Sequence, residues 1–268
     1  MEPKNIGTVY SGLSLNQADT AYFDDQGEEI RIMPSVNVIK IGGQSIMDRG
    51  RSGLYPLIDE IVANKATHKM ILGTGGGTRS RHVYSVAMDL GMPTGVIARL
   101  GTLISHQNAK ILHMLMCKHG GVFVLRDSFE HLALYLHAGC IPIIEGMPPY
   151  EIYERPARGG RIPESRTDTG VYLLGEVLGA RSVIFAKDED GLYTDDPKKN
   201  PKAEFIPKIS VSELIHRDLN DLVVERKVLE LMQNARHVRQ LQIINALKPG
   251  TLTRALNGEH VGTIIYAD

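Results

Sequence analysis

Four short stretches hold residue types suited to gripping a phosphate or another oxyanion. Lys40-Ile41-Gly42-Gly43 sets an ammonium beside two glycines, whose missing side chains let backbone N–H groups approach an anion. Gly73-Thr74-Gly75-Gly76-Gly77-Thr78-Arg79 follows. Its glycine run opens a helix, so free N–H groups and the positive end of the helix dipole would face the ligand, with Arg79 and Arg81 adding charge. Arg166-Thr167-Asp168-Thr169-Gly170 begins another helix, for which Thr167 or Asp168 suits the N-cap. Lys187-Asp188-Glu189-Asp190-Gly191-Leu192-Tyr193-Thr194-Asp195-Asp196-Pro197 packs five carboxylates and a lysine about a glycine turn. So much charge needs either water or a cation such as Mg2+. Each stretch also has an ordinary reading as a solvated turn or a helix cap.

The glycine loop at 73–77 matches neither common nucleotide fingerprint. No Gly-Lys-Ser/Thr follows it, and its spacing differs from Gly-x-Gly-x-x-Gly, which disfavours a Rossmann dehydrogenase. Three of the four stretches follow apolar, β-branched runs. Strands are expected at Val36–Ile41, Lys69–Leu72, Val122–Leu125, Ile141–Ile144, Ser182–Ala186, Gln240–Ile244 and Val261–Tyr266. Helical periods fall at about 52–65, from the glycine loop to Leu90, and at 104–118, 128–138, 168–178 and 226–238. This alternation predicts an α/β fold, a mainly parallel open sheet with helices on both faces. Ligands of such sheets sit outside the carboxyl ends of the strands, where the charged stretches lie. Residues 1–34 lack a sustained hydrophobic period and read as an N-terminal arm, with the α/β domain over 35–268. The Pro-, Gly- and Arg-rich tract at 148–163 reads as a long irregular loop.

With 268 residues and 43% hydrophobic content, the chain can bury a full core. Its formal charge of −1 and lack of a like-charge run argue against nucleic acid as a partner. No apolar run approaches the roughly 20 residues that span a bilayer, and the N-terminal stretch is polar, so a cytoplasmic location without membrane contact is expected. Cys117 and Cys140 have no Cys-x-x-Cys spacing and read as packing residues. The ten histidines contain no His-x-x-x-His pair.

In their order, Lys40–Gly43, the Gly75–Gly77 loop, Thr167-Asp168, Asp190-Gly191-Leu192-Tyr193 with Asp196-Pro197, and Gly258-Glu259-His260-Val261-Gly262-Thr263 resemble the amino acid kinase superfamily, over roughly residues 36–268. The resemblance implies that ATP and Mg2+ bind, with Lys40, Asp168 and Lys187 handling the reactive phosphate and Asp168 organising the charges. It assigns the nucleotide to Gly42, Gly43, Gly75, Gly76, Gly77, Arg79, Asp188, Asp190, Gly191, Leu192, Tyr193, Asp196 and Pro197. Within the superfamily the chain is similar to the uridylate kinases. It is more similar still to the molybdenum storage proteins, through Val38-Ile39-Lys40-Ile41-Gly42-Gly43-Gln44-Ser45, Gly146-Met147-Pro148-Pro149-Tyr150, Lys187–Thr194, and Leu252-Thr253-Arg254-Ala255-Leu256 running into Gly258–Thr263.

That likeness implies ATP-driven accumulation of molybdate or tungstate as polyoxometalate clusters, in a hexameric cage built with a sister subunit or with copies of the chain. A kinase acting on UMP is the alternative. The Asp that uridylate kinases place before Gly-x-x-x-Thr-x-x-Asn is here Ala98, ahead of Gly101, Ser105 and Asn108. Arg155, Arg158 and Arg161, with His106, His131 and His137, are candidates for walls and metal contacts of an oxyanion store.

Overall fold

The computed structural model describes residues 29–220 and 222–268. The expected arm falls mostly on residues 1–28, outside the described residues. From Arg31 onward the chain forms one compact unit. Its strands are β1 (Val36–Ile41), β2 (Lys69–Thr74), β3 (Gly121–Phe123), β4 (Ile141–Glu145), β5 (Ser182–Lys187), β6 (Leu192–Tyr193), β7 (Phe205–Ile206), β8 (Lys208–Ser210), β9 (Gln240–Asn245) and β10 (Thr263–Tyr266). The helices are α1 (Arg51–Asn64), α2 (Gly77–Asp89), α3 (Thr94–Met116), α4 (Leu132–His137), α5 (Thr167–Leu178), α6 (Val211–Arg217), α7 (Arg226–Met232) and α8 (Thr251–Leu256). Among the described residues no helix is long and apolar enough to cross a membrane.

Eight strands make one sheet in the order β3-β4-β2-β1-β5-β9-β10-β8, with β6 and β7 as a separate pair. The first six run parallel, and β10 reverses against β9. All six residues of β1, the Val- and Ile-rich run, are buried. This is what a central strand covered on both faces requires. Two apolar layers result. Val38, Ile71, Val171, Tyr172 and Phe185 pack on one side, and Ile39, Ile41, Leu57, Leu72 and Ile184 on the other. Glycine sets how closely α5 lies on the first face: a Cβ at Gly73 would stand 2.4 Å from Val171 Cγ2, and one at Gly175 the same distance from Val183 Cγ2.

The expected strands all form. The helix expected at 104–118 starts ten residues earlier, behind Pro93, which takes the N-cap position. The one expected at 128–138 is helical only from Leu132, after a 3-10 segment that kinks at Ser128, and the one at 226–238 ends at Met232. The short elements β6, β7, β8 and α6 carry too few residues to show a period, and none was expected. Residues 146–166 are irregular apart from one 3-10 turn, Glu151–Tyr153, as the composition of 148–163 suggests.

Candidate functional site

Side chains alternate between faces along a strand. Val36 and Val38 of β1, and Val183 and Phe185 of β5, face α5. Lys40 and Lys187 continue these two series, and the parallel register sets Lys40 opposite Phe185. Both ammonium groups are therefore delivered to the face that α5 covers, at the carboxyl ends of the strands. Asp168, in the first turn of α5, receives them. Lys40 Nζ lies 2.6 Å from Asp168 Oδ1, and Lys187 Nζ donates to Oδ1 and Oδ2 at 3.1 and 3.0 Å. Lys40 and Asp168 are 5% and 4% exposed, so the contacts are made with little water present.

Burial by itself raises the Asp168 pKa. The charges of Lys187 and Lys40 outweigh it and hold the carboxyl well below the ordinary carboxylate range. Burial also dominates at Lys187, bringing its ammonium down to about 8; Asp168 opposes the shift and Lys40 adds to it. Two cations on one anion leave the cluster short of one negative charge, which a phosphate or other oxyanion would supply.

The glycines form the other wall. A Cβ at Gly43 would lie 2.2 Å from Gly77 N, and one at Gly75 would lie 2.5 Å from Gly43 N and 3.4 Å from Lys40 Nζ. The two loops thus touch backbone to backbone beside the lysine, a cradle that side chains would fill. Gly42 donates its N–H to Ala186 O at 3.0 Å. The N–H groups of Gly43, Gly76 and Gly77 meet no acceptor among the described residues, which is the donor set an anion needs. Asp48, whose Oδ2 accepts from Thr78 N at 2.6 Å, and Asn108, whose Nδ2 donates to Gly75 O at 2.5 Å, brace the second loop. The Arg79 guanidinium is turned to Asn108 and Gln107.

The acidic turn after β5 is satisfied by protein groups. Asp188 bonds Arg49 at 2.7 Å and Lys198 at 3.3 Å, Glu189 bonds Lys198 at 2.5 Å, and Asp190 bonds Lys248 and Asn245. Asp195 accepts from Asn200, and Asp196 pairs with Lys199. Burial raises the Asp188 pKa, but bonds to Arg49 and Lys198 bring it below its ordinary value; the bond to Lys248 does so for Asp190. Gly191 holds φ +151°, and a Cβ there would strike Thr263 Oγ1 at 2.2 Å. That hydroxyl accepts from Leu192 N at 2.8 Å and donates to Ile206 O at 2.6 Å, pinning the turn to the start of β10. Tyr193 stacks edge-on with Phe205. Pro197 opens the exposed loop beyond. No group of three or more His, Cys, Asp or Glu among the described residues could hold a metal ion. The residues therefore do not form a protein-only Mg2+ cage, whereas the glycine cradle and its lysine do fit a nucleotide's phosphates.

Neither Thr167 nor Asp168 caps α5, contrary to the sequence reading. Arg166 takes the N-cap position without a side-chain cap bond, and the free N–H groups go to Glu225. Nothing in the local sequence around Glu225 signalled this role. Thr263 stood inside a recognised stretch, and its part became visible only with the turn folded against it.

The three candidate histidines do not form one ligand set. His106 Nδ1 lies 3.0 Å from Glu145 Oε2, and its ring meets Phe123 edge-on, while His131 and His137 are exposed at the two ends of the α4 segment. Arg155 pairs with Glu164 and Arg158 with Glu230, both at the surface. Ala98 is 1% exposed, and Ser105 joins β2 to β4 by donating to Thr74 O and accepting from Gly146 N.

Residues 35–245 match the model of the amino acid kinase family. The chain is 52% identical, over 239 residues that make up 89% of it and 88% of the relative, to the molybdenum storage protein subunit beta of Azotobacter vinelandii. It is 28% identical to the uridylate kinase of Thermofilum pendens, over 86% of this chain and 97% of that one. Among solved structures, the UMP kinase of Bacillus anthracis superposes with a TM-score of 0.69 at 21% identity, covering 88% of this chain and 97% of that one. The uridylate kinase of Archaeoglobus fulgidus gives 0.66 at 21%, covering 85% and 99%.

Proposed function

The chain belongs to the amino acid kinase family, and from that premise we propose that it is a storage subunit for molybdenum oxyanions which binds ATP at the Lys40–Asp168–Lys187 centre. The observation that carries the reading is the identity of half the residues, along nearly the whole chain, with a molybdenum storage subunit. In this reading Lys40 and the N–H groups of Gly43, Gly76 and Gly77 hold the terminal phosphates. Lys187 neutralises charge that develops there, and Asp168 keeps both ammonium groups aimed. Gly42 and Gly75 let the two loops close, and Arg79 braces the second of them. Asp188, Asp190, Gly191, Leu192, Tyr193, Asp196 and Pro197 border the nucleoside end. ATP supplies a phosphoanhydride whose cleavage drives loading.

The cargo in this proposal is molybdate or tungstate, condensed to polyoxometalate clusters within a cytoplasmic hexamer formed with a sister subunit or with copies of the chain. His106, His131 and His137 are its proposed contacts, drawn from different subunits, since one chain does not bring them together. Ala98 supports storage over UMP phosphorylation: a buried methyl stands where the kinases place a carboxylate. The decisive experiment is metal analysis of protein purified after growth with molybdate, beside ADP formation measured with and without UMP. Several molybdenum atoms per subunit and no response to UMP are expected. A mere trace of metal with brisk UMP-dependent ADP formation overturns storage in favour of the kinase.

A further inference from the structure

Asp168 must face two lysines at once, yet it sits in the first turn of α5, whose free N–H groups attract a carboxylate and so compete with the lysines for it. Glu225 removes that competition. One of its oxygens, Oε2, accepts from Arg166 N at 3.0 Å, Thr169 N at 3.1 Å and Thr169 Oγ1 at 2.7 Å, while Oε1 accepts from Asp168 N at 3.0 Å. In return the Glu225 N–H donates to Asp168 Oδ2 at 3.3 Å. This is the reciprocal pattern of a capping box, closed across 57 residues instead of three. Glu225 is itself 9% exposed, and among the described residues the one cation paired with it is Arg166, with Nε 3.8 Å from Oε1. A buried carboxylate so weakly paired costs stability. Four accepted bonds offset that cost only in this arrangement.

We infer that Glu225 is a positioning residue for the nucleotide centre: by capping α5 in trans it frees the Asp168 carboxylate and fixes it between Lys40 and Lys187. The inference rests on the nucleotide reading for its functional consequence. Its structural core is independent of nucleotide. If the cap is lost, Asp168 turns back to its own helix, Lys187 loses the contact that favours its charged form, and the lysines spread apart.

The test uses the full-length parent and Glu225→Ala, Glu225→Gln and Lys40→Ala. The Lys187 amine is titrated by NMR without nucleotide, and ATP affinity is measured by calorimetry. Glu225→Ala is expected to lower the Lys187 pKa by about one unit and ATP affinity at least ~10-fold. Glu225→Gln keeps the size and one acceptor, so it should restore part of both. Should the alanine variant fail to fold, the near-isosteric Gln variant gives the answer through the same two readouts. An unchanged Lys187 titration in folded Glu225→Ala, or in Glu225→Gln where the alanine variant does not fold, overturns the inference. If Lys40→Ala binds ATP as the parent does, the nucleotide reading fails instead, and the Lys187 titration still decides the role of Glu225.

Discussion

Lys187 and Asp188 are neighbours in the chain, and each begins a cluster of charged side chains at the end of β5. Lys187 turns inward to Asp168, where the charges of Lys187 and Lys40 meet a carboxylate that is 6% exposed. The run from Asp188 turns outward to partners that are far more open, with Lys198 61% and Lys248 59% exposed. Like residue types thus form two clusters of different worth. Ion pairs in water contribute ~0–1 kcal/mol. Buried ones shift pKa values and cannot lose a partner cheaply. By sequence the acidic turn is the louder signal, because five carboxylates stand together. By structure the quieter trio holds the uncompensated charge that a ligand would answer.

The largest test of this contrast is Asp168→Ala, which leaves the buried Lys40 ammonium facing that of the partly buried Lys187 with no carboxylate between them. A loss of about 3–5 kcal/mol in denaturant unfolding is expected. A loss below ~1 kcal/mol would place the centre in the same class as the surface turn. Next come the phosphate-handling groups. Lys40→Ala, which leaves Asp168 one lysine, and Gly43→Ala, whose methyl would press on the backbone of Gly77, should each weaken ATP binding about 10- to 100-fold by calorimetry. Parent-like affinity in both moves the nucleotide elsewhere.

The pH dependence should separate binding from stability. Folded Lys187 releases its proton near 8, whereas an unfolded lysine keeps it to about 10.4. Between these values the unfolded chain binds more protons, so the Lys187 contribution to stability rises with pH while its attraction for an anion is lost. ATP affinity should therefore fall above pH 8 as the nucleotide-free protein gains stability relative to Lys187→Met. If both quantities move the same way, the lysine is not titrating as described. Thr263→Val removes the hydroxyl that pins the turn at Leu192 and Ile206, and should cost about 1–3 kcal/mol in thermal unfolding. The smallest effect belongs to Asp188→Asn, whose pairs with Arg49 and Lys198 lie near the surface. A change of under ~1 kcal/mol is expected, diminishing further in high salt.

Much of this was legible in the sequence, for reasons that can be named. Val36–Ile41 is β-branched and stopped by two glycines, so a buried strand and a tight turn follow from local chemistry alone. The glycine run at 73–77 marks a close backbone approach because no other residue permits one, and Lys40, Asp168 and Lys187 stand inside stretches long enough to signal a family. Element edges were less readable: α3 starts at Thr94 because Pro93 sets its N-terminus, and the strands of two or three residues have no period to detect.

What only the tertiary structure decided is which charges meet. Strand alternation puts Lys40 and Lys187 on one face, but the face matters only because α5 lies there, brought close by Gly73 and Gly175. The cap of α5 comes from Glu225, which no local pattern connects to Asp168. The carboxylates of the acidic turn find Arg49 and Lys248, distant in sequence, where isolated they had called for a cation. Local stretches determine backbone shape, because steric and hydrogen-bonding preferences act over a few residues. Protonation and pairing depend on burial and on distant partners, and these exist only in the folded chain.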